Sequence, residues 1–295
     1  MAQHNDAHDV PTYVKNNPGR AGDWEATGLR WLHGHAQAYS GAGEGSGLRV
    51  ARVLERAGDR LVLERVTTSS PSAAAAENFG RGLAALHSRR QDLDGQSLRF
   101  GSGPAGWDGD GYQGPNDCLL PLPLTPTDSW GAFYADLLES LCTNAAGRDS
   151  FSTAHRAEID TLLSRLRSSD FDATASPAPV HGDLWSGNVL WGGAGGGRAI
   201  RDGEELAGGD VGGAVLIDPA AHVGHPETDL AALQLFGAPH LERILGAYAE
   251  AAGLDRDWRE RTPLHQLHLL FLHVAVFGDG YKSQAMSAVR ASLTL

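Results

Sequence analysis

The feature that most constrains this chain is an eight-residue loop, His181-Gly182-Asp183-Leu184-Trp185-Ser186-Gly187-Asn188, which interrupts an otherwise helical second half. The apolar run Val189-Leu190-Trp191 follows it and reads as a strand. A second run, Ala214-Val215-Leu216-Ile217, ends at Asp218-Pro219. Two short apolar runs separated by turn-forming residues read as a hairpin. Its tip would be the glycine-rich stretch 192–213, ten glycines in 22 residues, elongated and mobile. Asp183, Asn188 and Asp218 thereby fall beside strand ends.

The rest of the chain divides in two. Thr12-Tyr13-Val14-Lys15 is β-prone and stops at the turn signal Asn16-Asn17-Pro18-Gly19, after which Asp23–Leu32 reads as a helix. Leu48–Leu54 and Arg60–Val66 read as strands joined by a Gly58-Asp59 turn. Residues 1–66 therefore predict a small β-α-β-β lobe, and 67–72 a linker. From there to 295 the pattern is mainly helical: Phe79, Leu83 and Leu86, then a stripe from Trp130 to Leu141, then one from Ile159 to Leu166. Residues 100–128, rich in Gly, Pro and Asp, read as ordered loop, and helices are predicted near 227–236, 241–252 and 264–277.

Composition excludes several classes. With 24 Lys+Arg against 36 Asp+Glu the net charge is −12, the wrong sign for a protein that displaces counterions from nucleic acid. The two cysteines, Cys118 and Cys142, have no metal-type spacing and suit a reduced cytosolic protein. No apolar run approaches the ~20 residues of a membrane helix. The first residues offer neither a basic region nor an apolar core for a leader, so a cytoplasmic location is expected. Of the cationic side chains 22 are Arg and only two, Lys15 and Lys282, are Lys.

The spacing of the loop carries chemistry. An aspartate followed five positions later by an asparagine is the arrangement of the kinase catalytic loop, with Gly182 in place of its arginine. The aspartate accepts a hydroxyl proton, and the asparagine holds Mg²⁺ beside the phosphates. A second metal ligand is needed at a later strand end, where Asp218 stands. A phosphate-gripping lysine belongs on a strand of the small lobe with a helix glutamate to orient it; Lys15 and Glu25 meet that need. The lobe junction, Glu64-Arg65-Val66, would offer backbone groups to adenine. The expected fold is α+β, protein-kinase-like and two-lobed, with an ATP-gripping lobe at 1–66 and a catalytic and substrate-binding lobe at 67–295.

With Trp185-Ser186-Gly187 filling the loop, and with Ile217-Asp218-Pro219-Ala220, Gly224-His225-Pro226-Glu227, Asp229-Leu230-Ala231 and Phe236-Gly237 downstream, the chain resembles the fructosamine/ketosamine kinase family. Gln266-Leu267-His268, His273 and Phe277-Gly278 extend the resemblance, which spans about 12–290. It implies phosphorylation by ATP and Mg²⁺ of a sugar hydroxyl, O3, of a ketosamine, a deglycation repair. By resemblance Asp183 is the catalytic base, Asn188 and Asp218 are metal ligands, Lys15 and Glu25 orient the phosphates, and Trp185 and His273 line the sugar site. His225 and Asp229 are expected to brace the catalytic and metal-binding loops. Trp185 packing under its loop and His273 as a core histidine are the structural alternatives.

That family carries two strands and a glycine-bearing phosphate loop before the lysine strand. Here fourteen residues precede Lys15, too few for that hairpin, and 1–11 contain no glycine. Two rival activities share the pattern: another small-molecule kinase acting on an aminoglycoside, choline or free sugar, and a non-catalytic nucleotide-binding pseudokinase.

Overall fold

The computed structural model describes residues 10–38, 47–143, 150–194, 200–201, 204–205 and 213–295. Near the N-terminus, β1 (Thr12–Asn16) pairs antiparallel with β4 (Arg60–Glu64), which pairs in turn with β3 (Val53–Ala57). Helix α1 (Gly19–Gln37) lies against these strands. Trp24, Gly28, Trp31, Leu32 and His35 recur at helical spacing and form its buried stripe. The Asn-Asn-Pro-Gly turn is also the helix start, with Pro18 at the N-cap, so α1 begins four residues earlier than Asp23 and runs five beyond Leu32.

The run 48–54 is not one strand. It breaks at Ala51-Arg52 into β2 (Leu48–Val50) and β3, and the two halves join different sheets. β2 pairs parallel with β12 (Gly213–Leu216), which pairs antiparallel with β9 (Val189–Ala194) as the predicted hairpin. The segment read as a linker begins as a strand: β5 (Val66–Thr68) closes this second sheet against β9, giving the order β2-β12-β9-β5. The hairpin tip carries the two-residue ladder of β10 (Ile200–Arg201) and β11 (Glu204–Glu205). The remainder of the expected mobile stretch, 195–199, 202–203 and 206–212, lies outside the described residues.

Helices dominate the rest. Helix α2 (Ala73–His87) is capped by the Ser72 hydroxyl, which accepts from Ala75 N–H. The loop region 100–128 contains a short hairpin of β6 (Gly111–Gln113) and β7 (Leu120–Leu122). Then come α3 (Trp130–Thr143) and α4 (Thr153–Arg167), whose predicted stripes are buried. β8 (Ala178–Val180) pairs with β13 (His222–Gly224). The chain ends with α5 (Pro226–Phe236), α6 (Leu241–Ala252), α7 (Thr262–Phe277) and α8 (Lys282–Ser292). Cys118 and Cys142 are both free. No described helix is long and apolar enough to cross a membrane.

Two close contacts set the helical frame. Tyr134 Oη donates to Leu264 O at 2.8 Å and accepts from His268 N at 3.1 Å, so a buried hydroxyl sits inside the hydrogen-bond ladder of α7 and fixes its height on α3. Helix α2 is held between α6 and β2 by glycines: a Cβ at Gly80 would overlap the Ile244 carbonyl, and one at Gly82 would press on Leu48. Gly246, inside α6, faces open space. Gly80→Val should therefore lower unfolding free energy by about 1–3 kcal/mol through overpacking. Gly246→Ala should raise it by about 0.5–1 kcal/mol through helix propensity. Paired denaturant melts of the two variants check both signs.

Candidate active site

The loop 181–188 leaves β8 and turns into β9, and its backbone is held from below. Asp229, fully buried in the first turn of α5, accepts from His181 N (2.7 Å) and Gly182 N (3.0 Å). Its Oδ2 also lies 3.2 Å from His87 Nε2, and His87 Nδ1 lies 2.9 Å from Tyr248 Oη. Burial alone would raise the Asp229 carboxyl; the His87 bond and the His181 amide outweigh it and hold the group below the usual range. Gly182 has φ +79°, and a Cβ there would strike the Ala220 carbonyl, which explains glycine at this position.

His181 links the two halves of the site. A carbonyl can only accept, so its contact with Ile217 O (2.8 Å) assigns the proton to Nε2, and Nδ1 accepts from Asp183 N at 3.2 Å. Burial lowers the pKa of this ring, consistent with the neutral form. The next residue, Asp218, is one of three described non-glycine residues with positive φ (+51°), which sets its carboxylate beside the loop at a local backbone cost.

These constraints bring the expected residues together. Asn188 Nδ2 donates to Asp183 O (2.9 Å) and Asp183 Oδ2 (3.0 Å), leaving its amide oxygen as a free acceptor. Lys15 Nζ lies 2.9 Å from Glu25 Oε2 and 3.0 Å from Asp218 Oδ1. Asn17 Nδ2 donates to the same Glu25 oxygen at 2.5 Å. Burial would lower the Lys15 pKa, but its two carboxylates outweigh that and raise it. Burial also pushes the Asp183 carboxyl up to about 7; the Asn188 bond opposes this and nearby Asp218 and Asp229 add to it.

All of these groups face one cavity of about 700 Å³. Lys15, Glu25, Asp183, Asn188 and Asp218 lie along it with Trp185 and His273. Trp185 is 41% exposed, and its indole lies on Gly187, where a Cβ would occupy the ring's place. Trp185 therefore presents an aromatic face to the cavity rather than packing beneath its loop. His273 Nδ1–H donates to Leu269 O at 2.7 Å, so its Nε2 is an acceptor, and burial lowers its pKa.

Glu64 and Val66 do not line this cavity. They sit where the chain passes from β4 into β5. The Glu64 carboxylate is taken by Arg49 (2.7 Å) and Arg52 (3.2 Å), and the intervening Arg65 N–H donates to Pro11 O. His225 caps α5 by accepting Glu227 N–H instead of bracing the loop. Sequence reasoning missed Asn17, hidden in a turn signal, and the cavity wall formed by Tyr112, Gln113 and Asn116. Gln113 is held by His268 Nε2 at 2.6 Å, a contact across 155 positions that no local pattern reveals.

A second cluster, His225, Glu227 and His265, brings three potential ligand atoms within 4.8 Å of one another. It does not suit a metal: Arg261 already clamps Glu227 at 2.6 and 3.0 Å, and the His225 Nδ1 lone pair is used by the helix cap. The oxygen pair of Asn188 and Asp218 does suit one, since both are hard donors of the kind Mg²⁺ takes.

The two central aspartates should respond to substitution with opposite signs. Asp183 binds its proton more tightly when folded, so its ionisation opposes folding above the window from 3.8 to about 7. Asp183→Asn should stabilise the unliganded protein at pH 8 by up to about 4 kcal/mol, the gain vanishing below pH 4. The depressed Asp229 contributes stability that is present at neutral pH and is lost only in acid. Asp229→Asn should therefore cost about 3 kcal/mol at pH 7 by leaving buried donors unpaired. Chemical denaturation of both variants across pH reads the two signs.

Comparison with known proteins identifies the family. The model of the family described as fructosamine kinase matches residues 48–294. A crystal structure of a candidate fructosamine-3-kinase from Thermobifida fusca superposes with a TM-score of 0.71 at 36% identity, covering 97% of this chain and 86% of that one. A candidate ketoamine kinase of Enterococcus faecium is 32% identical over 157 residues, 53% of this chain and 50% of that protein. The ketosamine-3-kinase of Mus musculus is 26% identical over 252 residues, 79% of this chain and 72% of its own length. The match thus spans about half the length of the Enterococcus relative. On the family model and the Thermobifida structure together, the chain has the α+β, protein-kinase-like fold and belongs to the fructosamine kinase family.

Proposed function

We propose that this chain is an ATP- and Mg²⁺-dependent kinase that phosphorylates a sugar hydroxyl, O3, of a ketosamine such as fructosamine or ribulosamine, a deglycation activity of the cytoplasm. The observation that carries the reading is one cavity lined by Lys15, Glu25, Asp183, Asn188 and Asp218 together with Trp185 and His273. The printed name of the mouse relative, ketosamine-3-kinase, points to the same acceptor. In this reading 1–66 is the ATP-gripping lobe and 67–295 the catalytic one; the N–H groups of Glu64 and Arg65 are already given to Arg52 O and Pro11 O, so the expected adenine contact at Glu64 and Val66 forms no part of it.

The residues then divide the work. Asp183 accepts the proton of the sugar hydroxyl as that oxygen bonds to the γ-phosphorus and the bond to the β-γ bridging oxygen breaks, releasing ADP. Asn188 orients the Asp183 carboxylate through its amide N–H and, with Asp218, offers the oxygens that would hold Mg²⁺. The ion supplies neutralisation of phosphate charge when bound. Lys15, fixed by Glu25 and Asn17, supplies the cation of the chain itself. The indole of Trp185 covers an apolar sugar face, and His273 Nε2 accepts from a donor on the acceptor. Because phosphoryl transfer passes through a loose transition state, most acceleration comes from this positioning.

With ATP, Mg²⁺ and a ribulosamine or fructosamine, ADP release should be measurable, and Asp183→Asn should lower kcat by about 10² to 10⁴. Aminoglycosides, choline and free sugars should give no comparable turnover. Turnover confined to one of those acceptors would replace the ketosamine reading. ATP-dependent thermal stabilisation without turnover of any acceptor would favour the pseudokinase.

A further inference from the structure

Beyond Trp185 and His273, the outer mouth of the cavity is ringed by three further aromatic side chains that the phosphotransfer reading does not use. Phe236 ends α5, Phe277 ends α7, and Tyr281 lies in the turn before α8. They form a continuous collar: His273 lies 5.0 Å from Phe236, 5.3 Å from Phe277 and 4.8 Å from Tyr281, ring centre to ring centre. Trp185 meets Phe236 at 6.2 Å. Phe277 is 60% exposed, so a large apolar ring stands in water at the mouth of a concave site.

The charge distribution is one-sided. Among the described residues lining the cavity, the charged side chains are Lys15, Glu25, Asp183 and Asp218, all of them in the catalytic cluster. Lys15 is committed to Glu25 and Asp218. Lys282, the next residue after Tyr281, is paired with Asp279 at 2.9 Å and does not line the cavity. The collar therefore offers ring faces, which attract cations, and the lone pair of His273 Nε2, which accepts a hydrogen bond. Among the described lining residues it offers no cation to pair with an anion.

Resting on the kinase reading, we infer that Phe236, Phe277 and Tyr281 form the seat for the amine portion of the acceptor, and that they select ketosamines whose nitrogen carries an alkyl or arylalkyl chain. The protonated secondary amine lies against the ring faces, its N–H directed to His273 Nε2. The chain on nitrogen covers Phe277. A carboxylate next to the nitrogen, as in an adduct on the α-amine of an amino acid, meets ring faces and no cation, so such acceptors are disfavoured. A lysine side chain glycated at its ε-amine places only methylenes at the collar and is accepted.

The test compares kcat/KM for the 1-amino-1-deoxyfructose adducts of methylamine, benzylamine and glycine. Benzylamine should exceed methylamine by about tenfold, the gain from burying a phenyl group against the collar, and glycine should fall about tenfold below methylamine. Phe277→Ala, at an exposed ring, should collapse the benzylamine-to-methylamine ratio toward one, and Phe277→Arg should raise the glycine-to-methylamine ratio. Equal turnover of all three adducts, or a ratio that Phe277→Ala does not move, would overturn the collar while leaving the kinase reading standing. No turnover of any of the three adducts would overturn both.

Discussion

The site depends on one buried carboxylate that touches no substrate. Asp229 takes two successive backbone N–H groups of the catalytic loop on its two oxygens and reaches α2 through His87, which in turn meets Tyr248 of α6. Three elements distant in sequence are thereby fastened beneath the loop that carries Asp183. A loop whose amides are already paired has its shape before any ligand arrives, and catalysis by positioning needs that. The cost is local: Gly182 must adopt a left-handed conformation under the Ala220 carbonyl, and Asp218 does the same without the freedom of glycine.

The electrostatics of the cavity follow from crowding. Among the described residues lining the cavity, Glu25, Asp183 and Asp218 share it with a single ammonium, Lys15, in a chain whose net charge is already −12. Lys15 answers two of these carboxylates directly, which leaves Asp183 to be raised to about 7 by burial and by its acidic neighbours. A phosphate chain adds more negative charge to this site, so the oxygens of Asn188 and Asp218 are useful only with a hard cation between them and the phosphates. The same cation, next to Asp183, would favour the ionised form that a general base needs. Asn188 serves both requirements: its amide hydrogens face Asp183, and its oxygen is left over.

What was legible in the sequence was what is local. The order Asp183, Asn188, Asp218 encodes a loop and a strand end, and the structure brings the three to one cavity. The stripes of α3 and α4 are buried where their periodicity put them. The errors arise where pairing partners lie far away. Leu48–Leu54 has the pattern of one strand, yet its halves belong to separate sheets because β2 is recruited by β12, some 165 positions later. Thr67 and Thr68, which open the stretch read as a linker, instead continue β5 because β9 offers an edge. Glu64–Val66, expected as a junction between lobes, is where the chain passes from one sheet to the other, and the cavity does not extend to it. The collar was readable only in part: His273, Phe277 and Tyr281 follow one another at four-residue spacing, but Phe236 comes from α5 and only tertiary packing brings it to His273.

The two walls of the cavity are built differently, and on the proposed reading this bears on specificity. One wall is the last two turns of α7, where His273 and Phe277 stand four residues apart on one helix face. That helix is locked to α3 by the Tyr134 hydroxyl between Leu264 and His268, and by the packing of Trp130 against His265 at 4.8 Å. The other wall is the β6–β7 hairpin, held to α7 through the amide of Gln113, which accepts from His268 and donates to Pro121 O at 2.8 Å. Both walls therefore take their position from α7. A residue that moves this helix by a fraction of a turn displaces the acceptor from Asp183 without touching either, and in a reaction driven by placement such a shift reads out as lost turnover before lost binding.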